Sequence, residues 1–152
     1  LIPTYKLMLL FNWVDRYESL IIPWLFTAYG TFLMRQFFRN IPNELEEAAV
    51  IDGANRFTIL WRIFVPLSLP AIATLATISF LYAWNSFIWP LVVIHNKEMY
   101  VVTQGLADLQ GGYHANVSYS MAGATLAILP TLLVYILAQR YFVEGIATTG
   151  LK

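Results

Sequence analysis

Residues 63–94 read IFVPLSLPAIATLATISFLYAWNSFIWPLVVI, a stretch of about 32 residues that carries no charged side chain. A helix needs about 20 apolar residues to cross the hydrocarbon core of a bilayer. Residues 68–90 supply about 23, which is enough to cross with some tilt. Trp84 and Trp89 lie near the far end, where indole rings favour the headgroup region. The stretch therefore predicts a membrane-spanning helix.

The composition of the whole chain agrees with a membrane protein. Of the 152 residues, 59% are hydrophobic and 12% are charged, against about 45–50% and about 25% in soluble domains. So few charges would cover a water-soluble surface poorly, and so apolar a chain excludes intrinsic disorder. The net charge is zero and cysteine is absent, which argues against nucleic-acid partners, disulfides and thiolate metal sites. We expect an all-α integral membrane protein.

Two further stretches predict spans. Residues 19–38 are slightly short, but Arg35 and Arg39 can extend their charged ends to the membrane interface. Residues 117–139 form the third predicted span. The chain begins with Leu rather than Met, and we expect it to be the later part of a longer membrane domain, with about three complete spans.

The distribution of Lys and Arg predicts the orientation. The loop at about 40–66, with its flanks and the C-terminal tail, holds six basic residues: Arg35, Arg39, Arg56, Arg62, Arg140 and Lys152. The other side, which includes the loop at about 91–116, holds three: Lys6, Arg16 and Lys97. The positive-inside rule then places the 40–66 loop and the C-terminus in the cytoplasm.

The cytoplasmic loop has the pattern of two short helices around a glycine turn. Asn43 is a suitable N-cap, and Glu46 three residues later completes a variant of the capping box. The first helix should stop at Asp52 and Gly53, because glycine readily adopts the left-handed conformation that ends helices. A second helix is expected from about 56 to 64.

One face of the first helix suggests docking. Leu45, Ala48 and Ala49 share a face by three- and four-residue spacing. The two alanines leave that face shallow, so a cytoplasmic partner could approach the backbone in a helix-in-groove mode. Spacing alone allows a second interpretation, in which a capped amphipathic helix simply lies at the membrane interface.

The same loop resembles the "EAA" loop of binding-protein-dependent ABC importer permeases. The resemblance is carried by Glu47-Ala48-Ala49, then Gly53, then Ile63, then Val65-Pro66. The family commonly has Leu where this chain has Val65. A pattern over about 20 residues, in a loop that the charge distribution places in the cytoplasm, is a specific signal.

Other segments are similar to the carbohydrate-importing permeases of the maltose-permease type. They are Trp84 to Leu91 (WNSFIWPL), Thr103 to Leu106 (TQGL) and Gln139 to Gly145 (QRYFVEG). The resemblance implies the transmembrane fold of a type I ABC importer, normally with about six spans, in a prokaryotic inner membrane. It also implies sugar or oligosaccharide import.

The resemblance further implies partners and residue roles. Two permease subunits would form the pathway, two cytoplasmic ATPases would power it, and an extracytoplasmic solute-binding protein would deliver the substrate. Glu47 would make a charge-assisted contact with the ATPase, Ala48 and Ala49 would allow close approach, and Asp52 with Gly53 would form the turn of this coupling loop.

The chain lacks the sequence signs of an energy-converting enzyme. It has no G-x-x-x-x-G-K-[ST] motif, so energy must come from a partner or a gradient. A gradient-driven transporter and a membrane-embedded enzyme are the alternatives. Each would ordinarily need acids or histidines within the spans, and none is present there. We therefore expect a non-catalytic transport subunit without a cofactor.

A few polar residues remain as candidates. Asn85 could line a sugar pathway or bond a neighbouring helix, and the sequence leaves both open. His95 and His114 lie 19 positions apart in the outer loop without a carboxylate at ligand spacing, so we expect no metal site.

Overall fold

The computed structural model describes residues 1–111 and 117–149, with side chains through residue 139. The described residues form helices and no strand, which confirms the all-α class. In chain order the helices are α1 (Ile2–Leu10), α2 (Tyr17–Ile21), α3 (Ala28–Phe38), α4 (Asn43–Ile51), α5 (Arg56–Ile59), α6 (Val65–Leu67), α7 (Leu69–Trp84), α8 (Ile88–Val93), α9 (Val102–Gly111) and α10 (Val117–Thr149).

Shorter turns connect several of these helices. A π-helical turn, Leu60–Phe64, joins α5 to α6, and 3-10 turns occupy Ile22–Trp24 and Lys97–Met99. The chain divides into two compact units. The first consists of Leu1–Phe26 and Ser79–Ile136, and the second of Thr27–Ile78 with the chain from Leu137 onward.

The core of the first unit centres on α8. Trp89, Val93 and Ile94 are almost fully buried and pack with Met8 of α1. The Trp89 indole N–H donates to the Ser19 carbonyl over 2.8 Å. A buried carbonyl needs such a donor, so this bond ties α2 to α8.

One carboxylate joins the segment before α2 to the segment after α8. The N–H of Asp15 donates to the Val93 carbonyl over 2.9 Å. Its Oδ1 accepts the N–H groups of Asn96 at 2.8 Å and of His95 at 2.5 Å. These backbone hydrogen bonds from Asn96 and His95 lower the pKa of Asp15 from its ordinary value of 3.8, because they favour the ionised form.

The predicted outer loop at about 91–116 contains helical structure. It includes the end of α8 and the whole of α9. The Gln104 side chain on α9 is buried and donates to the Ile94 carbonyl over 3.1 Å. Lys97 also pairs with Asp108 of α9 at 2.9 Å. These contacts hold α9 beside the segment that Asp15 binds.

The second unit brings α3 close to α7. The Thr27 side chain caps α3 by accepting the Gly30 N–H over 3.0 Å. A Cβ on Gly30 would stand 2.9 Å from the Thr27 hydroxyl and 3.3 Å from Leu75 of α7. Phe38 and Phe64 pack edge to face with ring centroids 5.4 Å apart. Glycine at position 30 therefore allows α3 to approach α7 closely.

The third predicted span agrees with a long helix. Val117–Gln139 is the one described helix that is long and apolar enough by itself to cross a membrane, with a mean hydropathy of 2.0. A second candidate combines Arg56–Leu67 with Leu69–Trp84, which are bent by 76° with respect to each other. The structure therefore offers one or two spans by length and composition, and three complete spans stay a prediction.

The first two predicted spans differ from the observed helices. Residues 19–38 do not form one helix, because the chain breaks before Thr27, whose side chain caps a new helix. The resulting α3 has 11 residues, a length of about 16 Å. Residues 68–90 are likewise divided, because α7 ends at Trp84 and α8 begins separately.

Replacing Trp89 tests the bond between α2 and α8. Trp89→Phe should lower the free energy of unfolding by about 1–3 kcal/mol, because the buried Ser19 carbonyl loses its donor. Denaturant unfolding in detergent micelles measures this change. Trp61→Phe is the control, since Trp61 is 66% exposed, and it should change stability by less than about 0.5 kcal/mol. Equal losses in the two variants would contradict the role of the bond.

The lowered pKa of Asp15 predicts a pH dependence of stability. Its carboxylate contributes stability that is fully present above the ordinary value of 3.8 and is lost as the pH falls through the lowered folded-state value. Asp15→Asn does not titrate, and Asn tolerates the φ of +56° at this position. The difference in unfolding temperature between wild type and Asp15→Asn should therefore shrink as the pH is lowered towards about 3. A difference that stays constant over this range would refute the assignment.

Candidate functional site

Helix α4 carries the predicted site and contributes no buried residue to the chain's own core. Leu45 is 43% exposed and Ile51 is 85% exposed. An isolated helix of nine residues is marginal in water. Helix α4 must therefore rely on its ends, or on a surface outside this chain, to remain helical.

The start of α4 differs from the predicted cap. Asn43 is the first helical residue, Pro42 occupies the N-cap position, and no side chain caps the helix there. The predicted capping role of Asn43 is therefore wrong. Glu44 and Glu46 in the first turn still favour the helix by their charge.

The end of α4 is a complete Schellman turn around Gly53. Gly53 has a φ of +80°, and its N–H donates to the Val50 carbonyl over 3.0 Å. The N–H of Ala54 donates to the Ala49 carbonyl over 2.9 Å. Both bonds satisfy carbonyls that the helix end would otherwise leave unpaired. The predicted stop at Asp52 and Gly53 is confirmed.

A second cap follows at once. The Asn55 side chain accepts the N–H of Thr58 over 2.8 Å and the Thr58 hydroxyl over 3.0 Å. It thus starts α5 two residues after the glycine. The capping role of Asn55 was not predicted, although an Asn shortly after a glycine and three positions before a Thr is a recognisable N-cap signal.

The five predicted site residues do not all share one surface. Ala49, Asp52 and Gly53 line a shallow groove of about 440 Å³. Glu47 lines a separate depression with Glu46, and Ala48 is exposed and lines neither. We call the first surface the turn groove. The second surface consists of Asn43, Glu46, Glu47, Val50 and Ile51, and we call it the acidic face of α4.

Two residues of the acidic face were missed from the sequence. Val50 and Ile51 are 57% and 85% exposed. They stand one turn after Glu46 and Glu47, so a pair of aliphatic side chains follows a pair of carboxylates along this side of the helix. The four-residue spacing of Val50 from Glu46 and of Ile51 from Glu47 was the sequence signal that could have identified them.

Asn85 lies in the break between α7 and α8. Its amide donates to the Leu81 carbonyl over 2.8 Å, and the residue is exposed. The side chain therefore completes the end of its own helix in this structure. A place in a solute pathway stays a prediction.

Of the two histidines, only His95 lies among the described residues. His95 stands 3.8 Å from the Asp15 carboxylate, and no group of three potential ligands occurs among the described residues. His114 lies outside the described residues.

The family of the chain follows from comparison with known proteins. Residues 6–148 match the family described as "Binding-protein-dependent transport system inner membrane component". The chain belongs to this family. The family description names an inner membrane component, so the predicted location in a membrane is confirmed.

Two relatives with sugar-related names illustrate the family. The chain is 33% identical over its full length to the arabinooligosaccharides transport system permease protein AraQ of Bacillus subtilis (strain 168), and it covers 54% of that protein. It is 41% identical over 151 residues, 98% of the chain, to the sn-glycerol-3-phosphate transport system permease protein UgpE of Brucella abortus (strain 2308), again covering 54%. The chain thus spans about half the length of the curated relatives it matches.

A solved structure supports the fold of this family member. The chain superposes on a chain of a bacterial ABC transporter involved in the import of the acidic polysaccharide alginate, with a TM-score of 0.80 and 29% identity. The match covers 93% of this chain and 56% of that chain. The predicted transmembrane fold of an ABC importer is confirmed, and the number of spans is not.

Substitution of Gly53 tests the turn of this family member. Gly53→Ala should speed hydrogen exchange over the last turn of α4, because a φ of +80° costs an L-residue about 1–2 kcal/mol. No atom lies within 4 Å of the added Cβ, so the effect reports backbone strain alone. Gly53→Asn should exchange more slowly than Gly53→Ala, because Asn tolerates this region. Equal exchange in both variants would contradict the strain argument.

Proposed function

We propose that the chain is a permease subunit of an ATP-driven, binding-protein-dependent importer that couples to a cytoplasmic ATPase through α4 and Gly53. The observation that carries this proposal is the exposure of α4. Hydrogen bonds of the Gly53 turn hold its C-terminal end, and none of its residues is buried in this chain. Such a helix is free to bury its aliphatic side chains in a groove of another protein.

Sugars and related polyols are the proposed substrate class. The supporting observations are the names of the relatives, which mention arabinooligosaccharides and sn-glycerol-3-phosphate. The superposed importer carries alginate, an acidic polysaccharide. All three substrates are rich in hydroxyl groups.

The other proposed partners follow from the family. They are a second permease subunit, an extracytoplasmic solute-binding protein and a pair of ATPases, in a prokaryotic inner membrane with the C-terminus in the cytoplasm. The chain contains no P-loop sequence, so ATP hydrolysis would belong to a separate subunit and this subunit would be non-catalytic. Family membership favours this proposal over a gradient-driven transporter or a membrane-embedded enzyme.

The local geometry explains how α4 could transmit movement. The Ala49 and Val50 carbonyls at its C-terminal end are bonded, and Asn55 starts the next helix immediately. The angle between α4 and α5 is therefore held by short hydrogen bonds rather than by a flexible linker. ATP binding would close the ATPase pair and displace α4, and the helical segment Arg56–Leu67 would move with it.

Reversal of one charge tests the proposed docking. Glu47→Lys should reduce by about tenfold the P-loop ATPase that copurifies in detergent, and it should lower transport and transport-coupled ATP hydrolysis, because the acidic face loses a charge-assisted contact. Membrane insertion should be unchanged.

Glu44→Lys provides the matched control. It makes the same charge change on the same helix, outside the residues that line the acidic face, and nearer the N-terminus, where loss of a carboxylate costs the helix at least as much. It should retain the ATPase. Equal loss in both variants would show a helix defect rather than a contact, and full coupling in Glu47→Lys would refute the proposal.

A further inference from the structure

The last residue of α7 is bonded to α10. Trp84 stacks on Phe80, with ring centroids 5.7 Å apart and an interplanar angle of 16°. Its indole N–H donates to the Ala127 carbonyl over 3.0 Å, across 43 positions of the chain. The sequence favours a headgroup position for this indole, whereas its single donor is already used inside the chain. Trp84 therefore fastens the end of α7 to α10.

The turn of α10 that Trp84 contacts is weakened by a proline. Pro130 lies inside the helix and has no N–H to donate to the Leu126 carbonyl four residues earlier. Long helices kink at such positions. Ala127 lies within this turn, so the indole bond holds α10 where its own backbone holds it least.

Helix α9 is bonded to the break between α7 and α8. The Thr103 hydroxyl donates to the Ser86 carbonyl over 2.6 Å. Other bonds at the break are local, since both the N–H and the side-chain amide of Asn85 donate to the Leu81 carbonyl. The bond from Thr103 comes instead from a separate helix, and it attaches α9 two residues beyond Trp84.

Helix α9 also packs against α10. A Cβ on Gly123 would stand 3.4 Å from Cδ1 of Leu106 and 3.4 Å from Cδ1 of Leu109. Methyl groups of both leucines therefore lie against the backbone of α10, a close approach that small residues allow between membrane helices. Because the two leucines are one turn apart, they determine which side of α9 faces α10.

These contacts join the three elements in a closed triangle. The end of α7 contacts α10 through Trp84, α9 contacts the break after α7 through Thr103, and α9 contacts α10 at Gly123. The residues involved all belong to the first compact unit. A displacement of any one element alone would have to break its contacts with both of the others.

We propose that residues 79–86, 102–111 and 117–130 move as one rigid block, in which Trp84 and Thr103 are the positioning residues. A displacement of the end of α7 would then reach α9, in the predicted outer loop, directly through Thr103 and by way of α10 through Trp84. The link from this block to transport rests on the proposed function, because α4 would supply the displacement. The block itself rests only on the contacts among its own residues.

Distances between pairs of spin labels test the block. The 152 residues contain no cysteine, so Ser79→Cys on α7 and Gln110→Cys on α9, both at exposed positions, give a pair within the block. A second pair combines Gln110→Cys with Phe57→Cys, at a position 75% exposed, and extends beyond it. The subunit is reconstituted in nanodiscs with the subunits that copurify, and dipolar EPR spectroscopy measures both pairs with and without ATP.

The wild type should respond to ATP in one pair only. The distance between the labels at 79 and 110 should stay constant, because both positions belong to the block. The distance between the labels at 57 and 110 should change, because position 57 lies outside the block.

Loss of the two bonds should uncouple α9 from α7. The double variant Trp84→Phe with Thr103→Val keeps an aromatic ring beside Phe80 and a branched side chain on α9, but it has neither donor. Its distribution of distances between 79 and 110 should be about twice as wide without ATP, and the mean should shift when ATP is added. Thr125→Val is the control, since this hydroxyl donates to the Met121 carbonyl within α10, and it should behave as the wild type.

The outcomes separate the block from the proposed function. The block is overturned if ATP changes the distance between 79 and 110 in the wild type as much as that between 57 and 110. A double variant as narrow as the wild type, or an equal widening in Thr125→Val, would also overturn it. If ATP changes neither distance in the wild type, the coupling through α4 is refuted, and the widening of the double variant without ATP still decides the block.

Discussion

Hydrogen bonding of the backbone at helix breaks is the constraint on which this structure depends. The described helices are mostly short, and each break exposes N–H and carbonyl groups that cannot be left unpaired in an apolar setting. Side chains satisfy many of them: Asp15 and Gln104 around residues 93–96, Thr27 before α3, and Asn55 before α5. These four side chains thus bond backbone groups where helices begin or end.

This arrangement explains how α4 can be helical and exposed together. A helix normally gains most of its stability by burying an apolar face, and α4 buries none of its residues. Two of its C-terminal carbonyls, those of Ala49 and Val50, are bonded within the Gly53 turn instead. The aliphatic side chains of Val50 and Ile51 therefore remain available, and this is the property that a docking helix requires.

Local patterns predicted some of these features and not others. The apolar run behind Val117–Gln139 and the glycine that ends α4 are visible in sequence, because run length and left-handed backbone are local properties. The division of residues 19–38 was not predicted, since it depends on Thr27 capping a new helix. The contact of Asp15 with His95 joins positions 80 apart, and no periodicity signals such a pair. Within the site, sequence placed Glu47 and Ala49 in one motif but could not show that they line different surfaces.

The two ends of the Arg56–Leu67 segment differ in a way that determines where movement can occur. At the Gly53 end, the backbone bonds to the Ala49 and Val50 carbonyls and the Asn55 cap hold the turn, so bending there would break existing hydrogen bonds. At the Ser68 end, a buried hydroxyl is unpaired and two prolines have already removed backbone bonds. A displacement of α4 would therefore bend the chain more readily near Ser68, where the two prolines lack an N–H, than at the Gly53 turn.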